Sequence, residues 1–280
     1  MMHLGLMVVV VAIAWGIRQC WCPAGTYAQR WQQAQLAMLL PGLLLLMTAL
    51  AIACMGYAGQ MVTYWEGMLT YGVAWGFLGT ALGWLVVLAV KSWRSAHCIR
   101  SQPQQTTGGY SYRLLATDLP YSAQIGFWQP DLVVSQGLIE LLDDAHLQAV
   151  LAHEAGHGYY RDTFWFFWLG WLRRLTAWLP HSQPLWQELV LLREIRADRW
   201  ATQAVDSLTL AESLVQVAQA PLMPPHPAAA AFSCSVVGDR MAERIDALLT
   251  EAQPEIPSDR PPCLWLLVAV LPLLLVPFHH

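Results

Sequence analysis

Charged side chains are scarce in this 280-residue chain: they make up 12% of it, and Lys91 is the only lysine. Soluble domains carry roughly 25%, so an ordinary soluble class is disfavoured from the start. The basic residues are scattered and the formal net charge is −4, which leaves no basic block to bind DNA or RNA; no nucleic-acid partner is expected. The six cysteines, Cys20, Cys22, Cys54, Cys98, Cys234 and Cys263, form no CxxC pair. Neither a disulfide framework nor a cysteine zinc site is expected, and Cys20-Trp21-Cys22 reads as a juxtamembrane loop. No internal repeat is present.

What fills the chain instead is apolar: 56% of residues are hydrophobic, 15 are tryptophan, and mean hydropathy is +0.39. A bilayer crossing takes about 20 apolar residues. Leu36–Tyr57 and Met68–Val90 meet that length without a charge. A transporter or channel would be expected to carry charges inside its spans, which disfavours that class. Met1–Ile17 is shorter but lacks the positive leader and cleavage site of a signal peptide, so it reads as a retained helix. Cys263–Phe278 contains Pro272 and Pro277, which membrane helices tolerate, and reads as a fourth span.

Arg18 and Arg30 lie between the first two spans, and Lys91, Arg94 and Arg100 follow the third, whereas Ala58–Gly67 carries Glu66 and no Lys or Arg. By the positive-inside rule, four spans with both termini outside are expected, with residues 91–260 in the cytoplasm. Within that segment Ser101–Gly109 reads as a flexible lead-in and Pro221–Pro227 as a loop. Tyr110–Asp118, Ser122–Trp128 and Asp131–Leu138 are β-like runs rich in branched and aromatic residues. They predict a small sheet ahead of helices.

The chemistry is expected in "LAHEAGHGYYRD", Leu151–Asp162. Asp143 and Asp144 are N-cap candidates, and Leu147, Val150 and Leu151 mark one face of the helix that follows. Residues four apart share a helix face, so His153 and His157 can converge on one ion beside Glu154, the arrangement of the HExxH motif. A catalytic zinc needs a third protein ligand. "LLREIRADRWA" supplies Glu194 and, one turn on, Asp198. Glu194 can ligate while Asp198 orients a ligand histidine; the ordinary alternative pairs both with Arg193, Arg196 or Arg199 on a solvated face. Glu188 competes as third ligand but lacks an acidic residue four positions on. With zinc polarising the scissile carbonyl, Glu154 is the expected general base. Tyr159, Tyr160 and His181 are open candidates for oxyanion stabilisation, and the run at Ser122–Trp128 offers an edge to which an extended peptide can add.

"HLQAVLAHEAGHGYYRD", the "WLP" at Trp178–Pro180 and "REIRADRWA" together resemble the BlaR/MecR-type membrane zinc peptidases, which are kin to the HtpX-type and CAAX-prenyl-protease-type enzymes. "QIGFWQPDLVVSQGLIELL", Gln124–Leu142, and "ERIDALL", Glu243–Leu249, are similar to segments of the same families. The resemblance implies one zinc on His153, His157 and Glu194, with Glu154 catalytic and Asp198 in support. A departure from the antibiotic sensors is expected: no SxxK motif exists around Lys91, the only lysine, and a penicillin-sensing role is not expected.

The expected fold class is therefore mainly α: a multi-pass membrane protein with a gluzincin-like α+β zinc peptidase domain, a small sheet plus HExxH and ExxxD helices. Residues 1–90 are expected to form three transmembrane helices, 91–260 the cytoplasm-facing metallopeptidase domain and 261–280 the fourth span. The expected partners are the bilayer and a protein or peptide substrate, either a membrane protein or a cytoplasmic regulator. The alternative is a signalling or scaffold protein that keeps the fold without cleaving; the intact Glu154 argues against it. Asp162–Pro180, with its tryptophans and Arg173-Arg174 pair, suits a helix at the membrane interface or one in the peptidase core.

Overall fold

The computed structural model describes residues 2–57, 63–220, 240–250 and 267–278. The expected loop at Pro221–Pro227, half of the loop between the second and third spans, and the first residues of the fourth lie outside them, as do Cys234 and Cys263. The fold is mainly helical with a small mixed sheet. Its first elements are α1 (Met2–Gln19), α2 (Tyr27–Met55) and α3 (Tyr64–Arg100). Next come β1 (Gln104–Thr107), β2 (Tyr110–Leu115), β3 (Ser122–Ile125) and β4 (Asp131–Ser135). Then follow α4 (Gln136–Leu141), α5 (Asp144–Tyr159), α6 (Asp162–Leu175), α7 (Ser182–Ala201), α8 (Ser207–Gln219) and α9 (Met241–Leu249), and a terminal 3₁₀ helix, Leu267–Phe278.

The chain divides into two compact units, with boundaries inside α3, α6 and α7. One comprises residues 1–87, 171–189 and 258–280. There α2 begins on a capping box in which Thr26 and Gln29 each accept from the other's backbone N–H. Leu40 and Leu44 of α2 pack with Val10 of α1 and Ala269 of the 3₁₀ helix, and Leu46 packs with Ala81, Leu172 and Leu175. Both α2 and α3 are long and apolar enough to cross a membrane, by length and composition; α1 and the 3₁₀ helix are shorter apolar helices. Proline explains the terminal geometry, because Pro272 and Pro277 each remove a donor from the helical ladder.

The other unit comprises residues 88–170 and 190–257. Its sheet runs β1-β2-β4-β3, with β2 and β4 parallel and the outer pairs antiparallel. The expected flexible lead-in at Ser101–Gly109 is instead half a hairpin. Gly108 and Gly109 take φ of 58° and 85° between the paired Thr107 and Tyr110, the conformation that a two-residue hairpin turn demands and glycine supplies without strain. The last β-like run also divides: it is strand to Ser135, whose side chain then accepts from Leu138 N–H and caps α4.

Helix α5 starts where expected, on Asp143, whose carboxylate accepts the His146 N–H at 3.0 Å. Its Leu147, Val150 and Leu151 pack on Tyr112, Leu132 and Val134 of the sheet, while Ala149 and Ala152 face Ala201, Leu210 and Ala211. Leu151 is fully buried, so truncation to alanine there would cost about 2–5 kcal/mol. Two opposed packing faces leave α5 little freedom to rotate, and that holds the third face, bearing the histidines, in one direction.

Candidate metal centre

Residues 153 and 157 of α5 and 194 of α7 bring their donor atoms together. The two Nε2 atoms are 3.1 Å apart, His153 Nε2 is 3.4 Å from Glu194 Oε2, and His157 Nε2 is 3.7 Å from Glu194 Oε1. All three donors lie within 4.8 Å of one another. Donors about 2.0–2.1 Å from a tetrahedral zinc sit roughly 3.3 Å from one another, so the set fits that ion. Among the described residues this is the one group of three or more ligating side chains so disposed. Gly156 makes the close approach of the two helices possible, since a Cβ there would lie 3.0 Å from the Cβ of Trp200 on α7.

Each imidazole is held from behind. His157 Nδ1 meets Asp162 Oδ2 at 2.7 Å, and His153 Nδ1 lies 2.8 Å from Asp198 Oδ1. The second contact has an ion-pair distance but is off line for a hydrogen bond. Carboxylates at both Nδ1 atoms select the tautomer that turns Nε2 toward a metal. The carboxylates are anchored in turn. Asp162 is bound by Arg196 of α7, and Asp198 takes a two-pronged pair from Arg244 of α9, 2.9 Å from Nε and 2.8 Å from Nη2.

Burial opposes a charged imidazole, yet the Asp198 and Glu194 carboxylates outweigh it and push His153 up to about 10; His157 is raised by Glu194 and Asp162 in the same way. Burial likewise works against the Glu194 carboxylate, but Arg193 and His157 hold it well below the usual range. Arg244 and His153 depress Asp198, also against burial. Without an ion the group is a network of buried and half-buried opposite charges, and binding a metal there would displace protons.

The expected residues thus separate as follows. His153, His157 and Glu194 converge, Asp198 backs His153 rather than pairing with Arg196 or Arg199, and Glu194 meets Arg193 Nε at 2.9 Å as well as the histidines. Glu188 is engaged elsewhere, 2.6 Å from Arg30 Nε on α2. Glu154 is buried and directs its carboxylate to an open cavity of about 160 Å³, with Ser122 Oγ donating to Oε1 at 2.9 Å. Val150, Leu210, Leu214, Val217 and Ala218 form the cavity's apolar wall, and Arg244 lines it too. Tyr159 stacks on Trp200 with centroids 3.9 Å apart, Tyr160 lies under the Arg196 guanidinium, and His181 is in the other unit; none of the three lines this cavity.

Residues 97–189 match the model of Peptidase family M48. The peptidases of that family are metalloproteases, typically of zinc, so the match suggests a metallopeptidase and agrees with the donor set. It takes in β1 to α6 and the whole HExxH helix but ends at residue 189, before Glu194. Comparisons with curated proteins and with solved structures gave no match.

Sequence reasoning gave no role to Arg244, and to Ser122 and Gln124 none beyond the edge strand. Arg244 and Gln124 lay in segments similar to the family, but nothing pointed either of them, or Ser122, at its partner, because a contact made 30 or more residues away leaves no local pattern.

Proposed function

We propose that the chain is an integral-membrane zinc endopeptidase of the HExxH gluzincin type, akin to the BlaR/MecR- and HtpX-type enzymes, that hydrolyses protein substrates at or near the membrane. The observation that carries this reading is the convergence of two imidazole nitrogens and one carboxylate beside a second carboxylate, Glu154, that is outside the ligand set. In this reading His153, His157 and Glu194 hold one zinc, with Asp162 and Asp198 orienting the histidines. Zinc held there supplies Lewis acidity toward the scissile carbonyl and makes a water acidic near neutral pH.

Glu154 then accepts the proton of the attacking water and passes it to the leaving amine. β3 is one of the sheet's two edge strands, so an extended substrate can add along its outer side. The apolar wall from α8 favours an apolar side chain flanking the scissile bond. In α3, Leu69, Val73, Leu82 and Val86 are between 48% and 64% exposed. Apolar side chains so exposed along a long helix suit a lipid surrounding, which supports the membrane reading. The charge pattern then favours residues 1–90 as three spans, 91–260 as a cytoplasmic peptidase domain and 261–280 as the fourth span.

The test uses the full chain in detergent or nanodiscs. One zinc per chain is expected by elemental analysis, lost in His153→Ala and Glu194→Ala, whereas Glu154→Gln keeps zinc and loses at least about a hundredfold in cleavage of a protein substrate such as casein. Zinc content indifferent to the ligand substitutions would overturn the proposal.

A further inference from the structure

Ser122 and Gln124 sit two apart on β3 and so project from the same face of the strand. Both reach one residue of α5. Ser122 Oγ donates to Glu154 Oε1 at 2.9 Å, and Gln124 Nε2 donates to the Glu154 backbone carbonyl at 3.0 Å. β3 is itself held in register on the buried strand β4, with Ser122 opposite Val134 and Gln124 opposite Leu132.

We infer that Ser122 and Gln124 are positioning residues that clamp Glu154 to the edge strand, so that the strand which aligns the substrate also sets the place and rotamer of the base. The inference rests on the peptidase reading. A glutamate carboxylate turns about three side-chain bonds, and a general base works only within hydrogen-bond reach of the proton it takes. Ser122 occupies Oε1, while Oε2 has no hydrogen-bond partner among the described residues and is left to act on the water. Gln124 fixes the separation of strand and helix at the same residue. Substrate alignment and base alignment are thereby referred to one set of backbone atoms, and a small error in that placement is costly to rate.

The zinc-loaded full chain is compared with Ser122→Ala, Ser122→Thr and Gln124→Met on one protein substrate, with zinc content measured alongside. Ser122→Ala should keep one zinc and an unchanged KM while kcat falls about tenfold. Threonine, which restores the hydroxyl, should recover most of that loss, and Gln124→Met should lower kcat in the same KM-independent way. A Ser122→Ala enzyme with wild-type kcat overturns the clamp while leaving the peptidase reading intact. So does a loss that comes with reduced zinc, with raised KM, or equally in the threonine variant. A zinc-loaded wild type that cleaves nothing overturns the peptidase reading itself.

Discussion

His157 Nδ1 lies 2.7 Å from Asp162 Oδ2, and the other oxygen of that carboxylate is taken by Arg196. Asp162 is the first residue of α6 and Arg196 belongs to α7. The ring plane of one expected metal ligand is therefore set by a pair of residues from two other helices, all three side chains being buried.

Asp162→Asn keeps the shape of that link and removes the charge. Zinc affinity should fall about 10–100-fold, measured by competition with a chromogenic chelator, with the cavity-wall residues unaffected. Asp162→Ala should in addition lower stability by about 3–5 kcal/mol, because it removes one member of the buried pair with Arg196. Unchanged zinc affinity in Asp162→Asn would contradict the orienting role.

Arg244 grips both oxygens of Asp198, which in turn backs His153. Lysine keeps the charge but cannot make the two-pronged contact. Arg244→Lys should weaken zinc binding about tenfold, and Arg244→Met should also lower the melting temperature. Calorimetry and zinc titration on the two variants separate charge from geometry.

The pH dependence of the metal-free protein has a definite sign. His153 is pushed up to about 10 from 6.5, so its contribution to stability is complete below pH 6.5 and is lost as pH rises through about 10. Glu194 and Asp198 are held below their ordinary 4.5 and 3.8. Their contribution is present above those values and is lost as pH falls through the lowered ones. Chelator-treated protein should melt highest between about pH 4.5 and 6.5, whereas zinc affinity should climb with pH, since the ligand imidazoles bind only when neutral. A metal-free melting curve that still rises from pH 7 to 10 would contradict the assignment.

Leu214 and Val217 stand in the apolar wall beside Glu154. Cleavage-site profiling of the wild type on a denatured proteome should show a preference for apolar residues next to the scissile bond, and Leu214→Trp should move that preference to smaller ones. One methylene in such a pocket is worth only about 1–3 kcal/mol, so the shift should be graded rather than absolute. Identical profiles for the two proteins would remove the wall from the substrate site.

The local periodicities of the chain determined much of this on their own. Helical spacing put His153 and His157 on one face and Glu194 and Asp198 on another, Asp143 marked the helix start, and the uncharged runs marked α2 and α3; each is a pattern within a few residues, legible because it repeats the geometry of its own element. Tertiary structure alone decided which partners those faces meet. That Glu188 goes to Arg30 while Glu194 goes to the histidines, that Arg244 rather than Arg196 or Arg199 holds Asp198, and that Ser122 reaches Glu154 are all contacts between residues distant in sequence. Their formation depends on how the sheet, α5 and α7 pack, and on Gly156 letting two helices approach. Such packing follows from volumes summed over many side chains, and no single stretch of sequence carries that sum.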